Sequence, residues 1–426
     1  MARWVLLHEK AGEYFPAAGG GNTVTLLMEV WTLNHPVRRI TVHGMALIVF
    51  YWFGICTYIA FMVTTLMDHG WSDSAAAGAM TAMSVIILLV QPVYGYISDK
   101  FFSEKKLTVI LLAVSAVCFL LLPLSLRSGS MVLVVMNMIG VTATGMQIAG
   151  LLDAWIVGLK QEYPSINYGL MRGCGSLSFA LSAQIMGAVT VGSGHDVRLW
   201  LGGGAILLSV FLALTFRSTR SGCREKPEHQ LTGIEAFKLI FSSKQYNLLL
   251  GVSFFLLLSG ATMLTLIQLL VRDFGGTTAQ IGTATAIMAG SEVPFMFLTA
   301  YILNRVGFKK LLVFCGAVYV IRLFITASVA TVEGLLYVQL LQGLTFAVLL
   351  PISMSYLAQI LDTRIRATAV TIYSAATMSL AGILGNLTTS ALLASGFSVQ
   401  TALIVFAFSA LIGLSLTLYG VVRKIW

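Results

Sequence analysis

Residues Arg217 to Lys244, RSTRSGCREKPEHQLTGIEAFKLIFSSK, form the one long hydrophilic interval between two very apolar halves of the chain. On each side lie about six apolar segments, each near the roughly 20 residues that a helix needs to cross a bilayer core. Inside lipid no water is available to bond the backbone, so a segment of that length must satisfy its own amides as a helix. The pattern predicts two membrane bundles joined by a central cytoplasmic loop, not one soluble core with a surface insertion.

Composition supports the same class. The chain is 58% hydrophobic and 10% charged, with a mean hydropathy of +0.89. Soluble chains devote roughly a quarter of their residues to charge. A net charge of +9 elsewhere suggests nucleic acid. Here the basic residues gather in alternate short loops, so membrane lipid is the expected partner and nucleic acid is not. Cys56, Cys118, Cys174 and Cys315 lie in apolar segments and Cys223 in the loop, with no CxxC or Cys/His cluster, so no metal or cofactor is expected.

The expected organisation is an N-terminal extension over 1–42, a first six-helix bundle over 43–217, the loop over 218–244, and a second bundle with a short tail over 245–426. Spans are expected near 44–67, 75–97, 107–126, 131–157, 169–192 and 199–216, then near 246–270, 279–302, 311–330, 334–360, 367–392 and 399–421. Lys100, Lys105, Lys106 and Lys160 fall in loops on one side, as do Arg305, Lys309, Lys310, Arg364 and Arg366, with Arg423 and Lys424 after the last span. The opposite loops carry fewer basic residues, Arg127, Arg198 and Arg272 among them. Both termini are therefore expected in the cytoplasm, with the chain in an inner or plasma membrane.

The two halves echo one another. Tyr96, Ile97, Asp99, Lys100 and Lys105 find counterparts at Tyr301, Ile302, Asn304, Arg305 and Lys310 at a constant offset. Each copy joins the second helix of a half to the third, which a duplicated transporter fold explains more readily than two ordinary positive cytoplasmic turns.

Four isolated ionisable residues lie within apolar sequence: Asp153, Arg172, Glu292 and Arg322. A charge facing lipid is costly, so each is expected to face protein or water. Each half contributes an acid and a base on neighbouring helices, which suits opposite walls of a cavity for a polar solute. Structural ion pairs are the plain alternative. Glu292 is the stronger candidate for carrying a proton, because Pro294 is placed to open nearby backbone. Tyr51 and Tyr58 share a helix face beside Trp52, either lining that cavity or packing the core. Gln342 either donates to a solute or bridges helices. His195 is expected near an outward loop, away from the cavity.

GYISDK, at Gly95 to Lys100, resembles the loop motif of the major facilitator superfamily. With the second copy it assigns Gly95, Asp99, Lys100, Asn304 and Arg305 to packing and changes of state, although Asn304 replaces the acid. More of the chain resembles the oligosaccharide:proton symporter family and its lactose-permease relatives. The likeness runs from about Gly44 to the last helix, through QPVYGYISDK, Asp153, YGLMRGCGS with Arg172, Glu292, LNRVGFKKLL and VIRLFITAS with Arg322. It implies an all-α membrane protein with the major facilitator fold, twelve transmembrane helices in two bundles, and alternating access driven by a proton gradient. It also implies that Asp153, Arg172 and Glu292 contact a sugar or similar solute, with Arg322 beside the proton-coupling acid and Asp153 as a second candidate.

The sequence departs from that family at telling places. Phe179 stands where a tryptophan platform is expected, covering an apolar sugar face without an indole donor. Gln342 and Thr345 stand where a histidine and a glutamate are expected, so coupling leans on Glu292 or Asp153. The leading expectation is proton symport of a small polar organic solute, a sugar, glycoside or nucleoside, with one chain as the functional unit. A proton-driven exporter and a nontransporting sensor remain as alternatives. The four charges form no nucleophile, metal or phosphate set, which argues against an enzyme. The chain also lacks a Walker sequence, which argues against ATP-driven transport.

Overall fold

The computed structural model describes residues 35–166, 168–218 and 233–426. The extension over 1–34 and most of the central loop lie outside the described residues. The chain is helical throughout the described part. α1 (His35–Ile59) and α2 (Met62–Asp68) lead to α3 (Asp73–Lys100), α4 (Glu104–Arg127), α5 (Met131–Gly145), α6 (Ile148–Glu162) and the long α7 (Tyr168–Thr215). The second half holds α8 (Gly233–Ser242), α9 (Lys244–Gly260), α10 (Met263–Asp273), α11 (Thr278–Val306), α12 (Phe308–Ser328), α13 (Val332–Gln339), α14 (Gln342–Ile360), α15 (Thr363–Ser374), a π-helical segment (Ala375–Leu380), α16 (Ala381–Ala394) and α17 (Val399–Val422). α1 already runs inside the stretch assigned to the extension, and α8 occupies part of the stretch assigned to the loop.

Helix starts follow from local chemistry. Ser72, Ser103, Ser130, Ser243, Thr331 and Ser398 each accept a backbone N–H of the first turn. Thr277 and Gln280 form a reciprocal capping box at the head of α11. Ten stretches among the described residues are long and apolar enough to cross a membrane. One of them, Leu170–Thr215, covers 46 residues and turns at Gly194, whose φ of 82° belongs to the left-handed region that glycine tolerates. A straight helix of that length would be about 70 Å long, more than twice a bilayer core, so the stretch makes two crossings. α11, 29 residues long, packs among the ten without being one of them.

Four of the expected spans are interrupted: at Ala60–Phe61, Met146–Gln147, Ala261–Thr262 and Leu340–Leu341. These are the first and fourth apolar segments of each half. An interruption frees backbone groups that lipid cannot satisfy. Side chains from other helices bridge three of them. Tyr51 Oη donates to the Gly145 carbonyl at 3.0 Å and accepts the Ala149 N–H at 3.1 Å. Ser291 Oγ donates to the Gln339 carbonyl at 3.4 Å and accepts the Gly343 N–H at 3.2 Å. Gln268, on α10, reaches into the first half, where its amide accepts the Thr64 N–H at 3.1 Å and donates to the Ile59 carbonyl at 3.4 Å.

Tyr51 is therefore part of the packing seam and not of a cavity wall; it is 1% exposed. Tyr58 is 3% exposed, its hydroxyl held by Thr142, and shares that position. Pro294 does not open its helix: α11 runs continuously through it, losing only the hydrogen bond that proline cannot make.

The halves approach most closely where α7 meets α11. A Cβ on Gly282 would lie 2.3 Å from the Ala183 carbonyl oxygen and 3.0 Å from Gly187 Cα, so only hydrogen fits there.

Candidate functional site

Asp153 projects from α6 and Arg172 from the first turn or so of α7, with Arg172 Nε 4.0 Å from Asp153 Oδ1. The pair is loose and open, the side chains being 37% and 33% exposed respectively. Arg172 lies over the Trp52 ring, 4.7 Å from its centroid. Trp52 meets Phe179 edge to face at 6.0 Å. Gly175, one turn beyond Arg172, makes room for it: a Cβ there would come within 2.7 Å of the indole. Phe179 is 9% exposed and Trp52 is half-buried. More of the aromatic surface beside Arg172 therefore belongs to Trp52, a residue that sequence reasoning set behind Phe179. Its place one helix face from Tyr51 was the available signal.

The second half supplies Glu292 from α11, Arg322 from α12 and Gln342 from the head of α14. Arg322 is 1% exposed, and a guanidinium so deeply buried needs partners. Gln342 Oε1 and Gln339 Oε1 both accept from it, the latter at 2.9 Å, and Thr345 Oγ1 accepts at 3.2 Å. The far end of the Gln342 amide donates to Glu292 Oε1 at 2.9 Å. Among the described residues no cation lies within ion-pair distance of Glu292, so the expected acid–base contact with Arg322 is replaced by an amide bridge. The Arg172 charge, from the first half, also acts on Glu292.

Each half thus offers hydrogen-bond donors and acceptors, with an indole beside Arg172 in the first. The arrangement holds no nucleophile activated by a base, and no group of three metal-ligating side chains among the described residues. The side chains of Gly95, Asp99 and Lys100 lie outside the described residues, at the end of α3. Asn304 and Arg305 are exposed at the end of α11, where Arg305 lies 5.1 Å from the Tyr301 ring centroid.

A second polar cluster lies at the opposite end of the molecule from the central loop. Asp68, at the end of α2, accepts from Arg272 Nη1 of α10 and bonds His195 Nε2 at 2.7 Å. Partial burial raises the Asp68 carboxyl. The hydrogen bonds from Arg272 and His195, together with their charges, outweigh that and hold it below the usual carboxylate range. Sequence reading placed His195 away from the cavity, where it lies, but missed its link to Asp68.

The model of the MFS_1 like family matches residues 43–408. The raffinose permease of Escherichia coli is 27% identical over 358 residues, 78% of this chain and 81% of that protein. The maltose permease of Geobacillus stearothermophilus is 25% identical over 304 residues, 71% of this chain and 75% of that protein. Among solved structures, that of the nucleoside transporter NupG superposes with a TM-score of 0.70 at 15% identity, covering 88% of this chain and 98% of the other.

Proposed function

The chain belongs to the MFS_1 like family of membrane transporters, and from that membership we propose that it carries a small polar organic solute, a sugar, glycoside or nucleoside, together with protons. The permease relatives and the nucleoside-transporter fold support those solute classes. What supports the reading is that each half carries its own polar set, Asp153 with Arg172 in one and Glu292 with Gln342 and Arg322 in the other. A solute bridging them draws the halves together, as alternating access requires.

Asp153 and Arg172 would bind hydroxyl or base groups, and Trp52 with Phe179 would cover an apolar face. Glu292 would carry the proton. Its contact is an amide, and Gln342 keeps its hydrogen bond to one carboxyl oxygen when the other takes a proton. Arg322, held by Gln339, Gln342 and Thr345, would fix that amide. A single chain in an inner or plasma membrane, with both termini cytoplasmic, would complete the cycle. An exporter uses the same parts under the opposite gradient. The inward direction rests on the permease relatives.

The test is solute-induced proton uptake by purified protein in lipid vesicles across a panel of glycosides, nucleosides and small aromatic acids. One solute class is expected to give a signal that Glu292→Gln abolishes while solute exchange persists. Proton movement unchanged in Glu292→Gln would remove Glu292 from the coupling role. Binding with no proton movement for any solute would overturn symport.

A further inference from the structure

The cluster opposite the central loop contains two arginines and one carboxylate. Asp68, Thr65, His195 and Arg198 belong to the first half, Arg272 to the second. Arg272 grips Asp68 Oδ1 across the boundary, and His195 holds the other oxygen at 2.7 Å. His195 Nδ1 lies 3.2 Å from Thr65 Oγ1, and the same hydroxyl oxygen accepts from Arg198 Nη2. Thr65 and Asp68 are three residues apart on one helix, so they share a face.

Arg198 is the anomaly. It is fully buried, lying over the Phe61 ring at 4.8 Å, yet its Nε and Nη1 meet no acceptor among the described residues. Buried donors of a charged group are seldom left open, and each open one costs stability. Asp68 is the acid whose charge reaches Arg198. In the observed arrangement that acid is turned toward Arg272 instead.

We propose that Asp68 is a two-position latch: paired with Arg272 it holds this face of the transporter shut, and when the halves part it turns to the open donors of Arg198. Asp68 and Arg198 travel together because both belong to the first half, so the exchange needs a side-chain rotation and no chain rearrangement. Each state satisfies what the other leaves open. Closed, the carboxylate serves Arg272 and Arg198 is left short; open, Arg198 is served and Arg272 faces water, where its 39% exposed side chain already stands. The latch is a bistable element, which lets a small bias from the solute site move the whole equilibrium.

The two arginines must then act in opposite directions on one equilibrium. Spin labels introduced as unnatural amino acids at the exposed positions Ser128 and Ser395, on the ends of the two halves at this face, report its opening as a distance distribution and leave the native cysteines in place. Arg272→Gln is expected to shift the ratio of long to short distances by about fivefold or more toward long, the scale of a typical coupling between sites. Adding Arg198→Gln to Arg272→Gln is expected to return the distribution at least half-way to that of the parent. Should Arg198→Gln fail to fold, Arg198→Lys, which keeps the charge but loses the fork, is expected to give a smaller return. In an Asp68→Asn protein neither arginine substitution should move the distribution further. A double variant as open as Arg272→Gln alone, or an Arg198 substitution that opens the face, would overturn the proposal. The measurement needs no solute, so it is independent of the symport test.

Discussion

Gln342 donates to Glu292 Oε1 at 2.9 Å from one end of an amide whose other end is held by Arg322. A glutamine can bridge an acid and a base in this way because its donor and acceptor lie at opposite corners of one planar group. Replacing it with leucine of similar size takes a hydrogen bond from each charged partner. Gln342→Leu is expected to cost about 1–3 kcal/mol, read as a lower Tm in detergent. A Tm for Gln342→Leu equal to that of the parent would contradict the bridge.

Gln268 mends the break in the first helix from the other half of the molecule. Gln268→Ala leaves the Thr64 N–H and Ile59 carbonyl without their partner and should lower stability by about 1–2 kcal/mol. Gln268→Glu sets a buried carboxylate against the Ile59 and Leu264 carbonyls, so its Tm is expected below that of Gln268→Ala.

Gly282 lies against backbone, and backbone cannot yield as a side chain does. Gly282→Ala is expected to wedge α7 from α11 and lengthen the Ser128–Ser395 distance. At Gly290, two turns along the same helix, a Cβ would have no neighbour within 4 Å, so Gly290→Ala should leave that distance unchanged. Equal effects from the two would place the close approach elsewhere.

Trp52 offers a flat apolar face and one indole donor. Trp52→Phe keeps the ring and loses the donor, while Trp52→Ala loses both. Solute affinity is expected to fall in that order, with the aromatic contact worth about 0.5–1.5 kcal/mol, or roughly two- to twelvefold in Kd. Phe179→Ala should matter less than Trp52→Ala. Isothermal titration with the solute found in vesicles would measure all three.

The Asp68 carboxyl is held below its usual range, so the folded protein gains from its ionised form. That contribution is complete above the ordinary carboxylate pKa and is lost as the pH falls through the lowered value. Between about pH 5 and 8 the Asp68–Arg272 contact should therefore show no dependence on this group. A Tm advantage of the parent over Asp68→Asn that shrinks only under stronger acid is the expected result.

The spans and the pairing of Asp153 with Arg172 were legible in the sequence because each depends on local pattern: an apolar run, charges on two consecutive helices. The breaks were not. None of Ala60–Phe61, Met146–Gln147, Ala261–Thr262 and Leu340–Leu341 contains proline, whereas Pro92, Pro123, Pro294 and Pro351 all sit inside continuous helices. A proline removes one donor and can be absorbed. A break without proline depends on who satisfies the freed groups, and those residues are distant: Gln268 lies 204 positions from Thr64. The amide bridge at Glu292 was hidden for the same reason, since nothing near Gln342 in sequence says that Arg322 will hold its carbonyl.

The interrupted helices occupy corresponding places in the two halves, but their repairs differ: a phenol in one, a hydroxyl in another, an amide reaching over from the opposite half in a third. Position has been repeated where chemistry has not. A repair that comes from within a half moves with it, whereas Gln268 is a loan across the boundary, returned whenever the halves separate. Of these three repaired breaks, the first helix is thus the one where parting the bundles alters the backbone's own hydrogen bonding, so amide exchange at Thr64 should keep time with the opening and closing of the transporter.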